Sequence, residues 1–314
     1  MSTESKYIWM DGKLVEFEKA TVHFLNRTLH YGVGVFEGIR CYATNSGPAV
    51  FRLREHVERL FDSAHVLGLR DLRYNEADII DAIKQTVAVN EFAECYIRPL
   101  IHLSSNSMGL NLDTGDASFG IAVWEWGAYL GEEARETGVR ANVSSFTRNN
   151  LNAVMTKAKI TGNYPNSVLA KTESLRLGFD EAILLDAQGY VAECTGENLF
   201  LVRNGRIITP PMAPVLEGIT RDSLIQLARG LGIEVVEQPV SRDQLYISDE
   251  IFVCGTAAEV IAIREVDFRD IGAGKMGPVT RQIQRAYNDA IHGRHPLSAG
   301  WLDYVTQAVA ATGD

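Results

Sequence analysis

The chain opens on a period of two. Tyr7-Ile8-Trp9-Met10 and Leu14-Val15-Glu16-Phe17 flank Asp11-Gly12, a tight-turn pair, so residues 7–23 read as a short hairpin. The period then lengthens. Leu53, Val57, Leu60, Ala64 and Leu67 fall on one face of a helix over 53–68. Asn75 can N-cap a second helix carrying Ile79, Ile80, Ile83 and Val87. Cys95 to Leu103 and Phe119 to Trp124 read as strands, which makes the first third α+β.

Residues 124–136 change character: glycines separate Trp126 from bulky neighbours, and an acidic run follows. This stretch is the expected linker between a small domain (1–123) and a larger one (137–314). The larger part is richer in strands, predicted at 181–186, 190–193, 198–202 and, after the Asn204-Gly205 turn, 206–209. Helices are predicted over 162–177 and 221–231, the second with Leu224, Leu227, Ala228 and Leu231 inward and Gly232 as its stop. Strands at 233–239, 250–254 and 260–266 precede a final helix at 278–291 and a polar tail.

Composition narrows the function. The 314 residues are 46% hydrophobic and 22% charged, with net charge −10. Such a balance disfavours nonspecific binding to nucleic acid or anionic membrane. Met1 to Gly12 carries no apolar signal core, and no stretch approaches the roughly 20 apolar residues of a membrane span. Cys41, Cys95, Cys194 and Cys254 lie far apart and form no C-x-x-C pair, which argues against a zinc site or disulfide framework and for a reducing cytosol.

Three segments carry candidate chemistry. Lys159 sits in Thr156-Lys157-Ala158-Lys159-Ile160-Thr161-Gly162-Asn163-Tyr164. Glu193 sits in an alternating strand ahead of Cys194-Thr195-Gly196-Glu197-Asn198-Leu199-Phe200. Gly218-Ile219-Thr220 opens a helix, with Thr220 as the expected N-cap. A lysine, a strand carboxylate and a helix start are the parts that hold pyridoxal 5′-phosphate: imine, pyridinium partner and phosphate cup. Spacing alone does not choose between Lys157 and Lys159, which point the same way on an extended segment; Lys171 is expected to be solvated. Each part has a plainer reading as a surface lysine, an edge-strand glutamate or an ordinary capped helix. Gly255-Thr256-Ala257-Ala258 offers further N–H groups or a simple turn. Gly272-Ala273-Gly274-Lys275-Met276-Gly277 matches a dinucleotide fingerprint, but no βαβ unit follows it, so that reading is rejected.

Taken in order, the segments resemble the class IV aminotransferases, fold-type IV pyridoxal phosphate enzymes, and among them the branched-chain amino acid aminotransferases. The resemblance runs from about Tyr7 to Tyr304. It rests on Glu193-x-Thr195-x-x-Asn198-Leu199-Phe200, Ile207-x-Thr209 and Leu216-x-Gly218-Ile219-x-Arg221. Tyr31-Gly32-x-Gly34-Val35-Phe36-Glu37-Gly38-Ile39-Arg40 and Tyr96-Ile97-Arg98-Pro99-Leu100 match the branched-chain subgroup. It implies a small N-terminal α/β domain and a larger pseudo-barrel domain.

The resemblance assigns the imine to Lys159, the ring oxygen to Tyr164 and the ring nitrogen to Glu193. It assigns the phosphate to Arg59, the Gly218-Ile219-Thr220 turn and Thr256. Thr256, Ala257 and Tyr96 would hold the substrate α-carboxylate. Tyr31, Phe36, Leu110, Trp126, Tyr129 and Met155 would enclose Leu, Ile or Val side chains, and Arg98, with Tyr31 and Arg40, the distal carboxylate of glutamate. In relatives Tyr31 and the Met108-Gly109-Leu110 loop cross to a neighbouring subunit, which implies a homodimer. One departure is His102-Leu103-Ser104-Ser105-Asn106-Ser107 where a glycine-rich stretch is common, which bears on substrate breadth. The expected activity is amino-group transfer between L-branched-chain amino acids and 2-oxoglutarate, ping-pong through pyridoxamine phosphate. D-amino acid or (R)-amine transamination and aminodeoxychorismate lyase are the alternatives on the same fold, and a homologue without catalysis is a third.

Overall fold

The computed structural model describes residues 5–104, 108–112, 116–127, 130–131 and 133–305. They divide between two compact units, one falling within 5–126, 158–162 and 290–305 and the other within 127–157 and 163–289. Two stretches expected in the larger domain therefore pack with the first unit. Val35 pairs with Ile160, and Leu302–Tyr304 adds a strand along Gly47–Phe51. The expected polar tail thus holds a short helix and a strand before residue 306.

The first unit is built on an antiparallel sheet of eight strands. Strands β1 (Tyr7–Met10) and β2 (Lys13–Glu16) form the expected hairpin. Next come α1 (Arg27–Tyr31), β3 (Gly34–Phe36), β4 (Ile39–Thr44), β5 (Gly47–Phe51), α2 (Leu53–Leu67), α3 (Glu76–Asn90), β6 (Cys95–Ser104) and β7 (Asp116–Trp124). Asn75 caps α3 through a capping box with Asp78. Leu53, Val57, Leu60 and Ala64 of α2 are fully buried against the sheet, with Ile79 and Ile83 of α3 beside them. Each such leucine or isoleucine contributes about 1.5–3 kcal/mol on burial. Cys41 and Cys95, distant in sequence, face each other across β4 and β6, and all four cysteines are free and buried.

The second unit has nine strands in one sheet. Its elements are α4 (Ala134–Thr137), β8 (Val139–Thr147), α5 (Tyr164–Arg176), β9 (Glu181–Leu185), β10 (Val191–Cys194), β11 (Asn198–Arg203), β12 (Arg206–Thr209), α6 (Ile219–Gly230), β13 (Val235–Glu237), α7 (Arg242–Tyr246), β14 (Glu250–Gly255), β15 (Glu259–Val266), β16 (Arg269–Asp270) and α8 (Pro278–Ile291). The order is β10-β9-β8-β15-β14-β11-β12-β13, parallel at β8–β9, β8–β15 and β12–β13. The ends of this order meet: Val191 N donates to Val240 O at 2.8 Å, and Tyr190 bridges Ser241. The sheet is thereby curled into a pseudo-barrel, with Leu199, Leu201, Ile251, Val253, Ile261 and Ile263 in its core.

Candidate active site

Within the first unit, Ala158 and Ile160 are buried, and a bond from Ile160 N to Ala158 O at 3.0 Å turns the backbone around Lys159 between them. Three hydrogen bonds fix that segment. Lys159 O accepts from Phe36 N at 3.1 Å, Lys159 N donates to Ser63 Oγ at 3.0 Å, and Thr161 Oγ1 donates to Gly32 O at 2.7 Å. The Lys159 amine lies 5.1 Å over the Phe36 ring. Lys157 does not share this orientation. It stands in a turn, and its Nζ donates to Met212 O and to Val215 O at 3.1 Å, with Glu217 at 3.3 Å. The geometry thus separates two lysines that spacing left equal.

His56, Arg59 and Ser63 recur at spacings of three and four on α2, along one flank of its apolar stripe, with His56 and Ser63 buried. Glu37, fully buried between Phe36 and β4, faces them. It accepts from Arg59 Nε at 2.7 Å, Arg59 Nη2 at 2.9 Å and His56 Nδ1 at 2.8 Å. Burial pushes the Glu37 carboxyl up, but the Arg59 charge and the bond from His56 outweigh it and hold the group far below the usual carboxylate range. Burial lowers His56, the Glu37 bond and charge oppose this, and Arg59 and Lys159 add to the lowering. His56 is therefore neutral, with its proton on Nδ1.

Residues Tyr96 and Arg98 share one face of β6, with Trp124 paired opposite Tyr96. The Arg98 guanidinium lies 4.6 Å from the Phe36 ring centroid, 5.3 Å from Tyr96 and 5.7 Å from Trp124. Its Nη2 donates to Tyr96 Oη at 3.1 Å, and its buried Nε has no hydrogen-bond partner among the described residues. Trp126 packs 4.5 Å from Tyr96, and its carbonyl accepts from Arg40 Nη2 at 2.8 Å. Tyr31 Oη donates to Met108 O at 2.8 Å, while Arg27 holds Gly109 O and Asn111 O. Of the residues expected to enclose the aliphatic side chain, Tyr31 is 43% exposed and Leu110 82% in the first unit, and Met155 is 54% exposed in the second. Tyr129 lies outside the described residues.

In the second unit, Glu193 is not the solvated edge residue of the plainer reading; it is 6% exposed. A bulge in the β10–β9 pairing, between Val191 and Glu193, re-aims its side chain. Arg148 Nε donates to Glu193 Oε1 at 2.6 Å, and Asn198 Nδ2 and Leu216 N approach Oε2 at 3.3 and 3.4 Å. Arg148 Nη1 also reaches Asn166 at 3.3 Å, in the first turn of α5, which begins at Tyr164. Lys171, on the same helix, pairs with buried Glu181 at 2.5 Å and is not solvated as expected.

The cap of helix α6 lies two residues before the expected one. Gly218, not Thr220, is its N-cap, and no side chain caps it. A Cβ at Gly218 would collide with Asn198 Oδ1, so the close approach requires glycine. The contrast is α8, which follows the rejected glycine motif. There the Glu250 carboxylate accepts from Val279 N at 3.0 Å and Thr280 N at 2.7 Å, so that helix start already holds an anion. Thr256 and Ala257 lie in the turn joining β14 to β15.

Sequence reasoning gave no role to Ser63, His56, Glu37, Asn198 or Arg148. Polar residues at helical spacing on α2 were a usable signal for the first two; the Arg148 partnership is purely tertiary.

Class IV amino-transferases match this chain over residues 34–266, and the chain belongs to that family. The branched-chain-amino-acid aminotransferase of Pseudomonas aeruginosa is 47% identical over 305 residues, 97% of this chain and 99% of that protein. The structure of a T.th. branched-chain amino acid aminotransferase with pyridoxamine 5′-phosphate is 48% identical, covers 96% of this chain and 99% of its own, and has a TM-score of 0.93. The complex of that enzyme with N-(5′-phosphopyridoxyl)-L-glutamate is 46% identical, covers 97% and 100%, and also has a TM-score of 0.93.

Proposed function

We propose that this protein transfers amino groups between L-branched-chain amino acids and 2-oxoglutarate, using pyridoxal 5′-phosphate. The residues present fit the cofactor. An α6 start with no side-chain cap and a glycine that leaves no room for a Cβ suit a phosphate. The buried Glu193 carboxylate suits a protonated ring nitrogen. Bound there, the cofactor supplies an electron sink for the charge left at the substrate α-carbon.

We assign Lys159 the covalent attachment through Nζ and, once released, the transfer of the α-proton as general base. Glu193, oriented by Arg148 and Asn198, holds the ring nitrogen, and Tyr164 the ring oxygen. Arg59, Gly218, Ile219, Thr220 and Thr256 hold the phosphate; Thr256, Ala257 and Tyr96 hold the α-carboxylate. Arg98 carries the substrate reading. A guanidinium lying on the faces of Phe36, Tyr96 and Trp124 is both a carboxylate receptor and part of an apolar wall. That combination suits a site that takes branched aliphatic side chains and the distal carboxylate of glutamate in turn.

A homodimer belongs to this proposal. Val22, Phe24, Leu25, Leu29, Tyr31 and Leu110 leave apolar surface exposed on one chain, as an interface would require. We assign the protein to a reducing cytosol, in keeping with four free buried thiols. The test is glutamate formation from 2-oxoglutarate with L-leucine, against D-leucine and an (R)-amine. Activity with L-leucine alone is expected; activity confined to either of the others would replace the reading with the corresponding transaminase, and pyruvate release from aminodeoxychorismate with the lyase.

A further inference from the structure

We propose that Glu37, backed by His56, is a positioning residue that sets the orientation of Arg59 for the cofactor phosphate; the proposal rests on the phosphate role assigned to Arg59. Glu37 takes Nε and Nη2 of Arg59 together, at 2.7 and 2.9 Å, which fixes both the plane and the rotation of the guanidinium. His56 donates to Glu37 Oε2 from one turn earlier on the helix that carries Arg59. Helix, histidine, carboxylate and guanidinium thus close a ring of contacts in which no member can rotate alone. The Glu37 side chain is fully buried and that of Arg59 is 13% exposed, so the pair is shielded from water. Ser63, on the same helix face, holds the backbone of Lys159 at 3.0 Å. One helix therefore registers the phosphate cation and the attachment lysine against each other.

A purely structural ion pair would give the same contacts, so the test must read orientation. Glu37→Asp keeps the charge but withdraws the carboxylate by one methylene, too far to grip both nitrogens. Apoenzyme is titrated with pyridoxal 5′-phosphate and, separately, with pyridoxal, following the absorbance of the bound ligand, with thermal unfolding measured in parallel. Glu37→Asp is expected to weaken pyridoxal phosphate binding about tenfold, the size typical of losing a partner that orients a ligand. Pyridoxal affinity is expected to stay unchanged. His56→Gln, which leaves the Glu37–Arg59 pair in place, should shift the same ratio in the same direction by about threefold and serves if Glu37→Asp does not fold.

Equal weakening of both ligands, or no weakening of either, would overturn the proposal. So would tighter phosphate binding, because Glu37 would then only be diluting the Arg59 charge. Arg59→Gln separates the two layers. If it leaves the pyridoxal phosphate to pyridoxal ratio unchanged, the phosphate role of Arg59 fails. If it collapses the ratio while Glu37→Asp and His56→Gln do not, only the positioning role fails. In the Glu37→Asp, Arg59→Gln double variant the ratio should be no lower than in Arg59→Gln alone.

Discussion

Glu37 in the first unit and Glu197 in the second are both buried carboxylates, yet their surroundings drive them in opposite directions. Glu37 meets a guanidinium and an imidazole, which overcome the penalty of burial and keep it ionised. Glu197 meets burial first and then the charge of Glu181, with Lys171 only partly opposing, and is pushed up to about 8. Glu181 is itself tied to Lys171, Thr195 Oγ1 and Ala182 N, so little of that cation is left for Glu197. Burial alone thus does not decide the state of an acid; its partners do. The residues proposed for the cofactor differ in a similar way: within the first unit Lys159 and Arg98 lie on aromatic faces and Arg59 is paired with Glu37, whereas within the second Glu193 is a buried carboxylate and α6 starts without a side-chain cap.

The sharpest way to break this division is to remove one member from each side. Lys159→Ala should cost at least about 10⁴-fold in turnover, the upper range for a general base, with the fold retained by circular dichroism. Glu193→Gln keeps the shape but loses the charge, and should lower turnover by on the order of 10²-fold, the scale of losing one electrostatic group in a site. A Glu193 effect as small as that of a surface residue would remove the second unit from the account. Gly218→Ala drives a methyl into Asn198 Oδ1 and should cost about 1–3 kcal/mol in thermal unfolding, with cofactor affinity falling as well.

Acid and base dependence sharpen the carboxylate contrast. Glu37 has a depressed folded pKa, so its contribution to stability is present above the unfolded value of about 4.3 and is lost as the pH falls. Glu197 has a raised one, so its contribution is full below about 4.3 and is lost as the pH rises towards 8. Glu197→Gln should therefore flatten the decline in stability between about pH 5 and 8, measured as denaturant midpoints. A steeper decline in the variant would reverse the sign assigned here. The smallest effect belongs to Lys157→Ala. It loses hydrogen bonds to Met212 O and Val215 O and should cost about 1 kcal/mol in stability with turnover unchanged.

Much of this was legible in the sequence because local pattern and tertiary outcome agree. Leu53, Val57, Leu60 and Ala64 bury as their spacing says, and Asn75 caps as its side chain says. The order of Lys159, Glu193 and Gly218 pointed to the chemistry. What stayed hidden was set by contacts far apart in the chain. A bulge, not alternation, aims Glu193, and Arg148, 45 residues away, pins it. Thr220 looked like a cap by residue type, but the approach of Asn198 makes Gly218 the helix boundary. Lys171 looked solvated on a polar helix face until β9 brought Glu181 beneath it. The strand at Leu302–Tyr304 was invisible because three residues pairing with β5 leave no periodic trace.

The central claim, that Lys159 carries the cofactor, is tested most directly by trapping the bond. Holoenzyme loaded with pyridoxal 5′-phosphate is reduced with borohydride and digested, and the peptides are sequenced by mass spectrometry. The account predicts a pyridoxyl group on Lys159 and none on Lys157. A label on Lys157, or on neither lysine in enzyme that turns over, would contradict it.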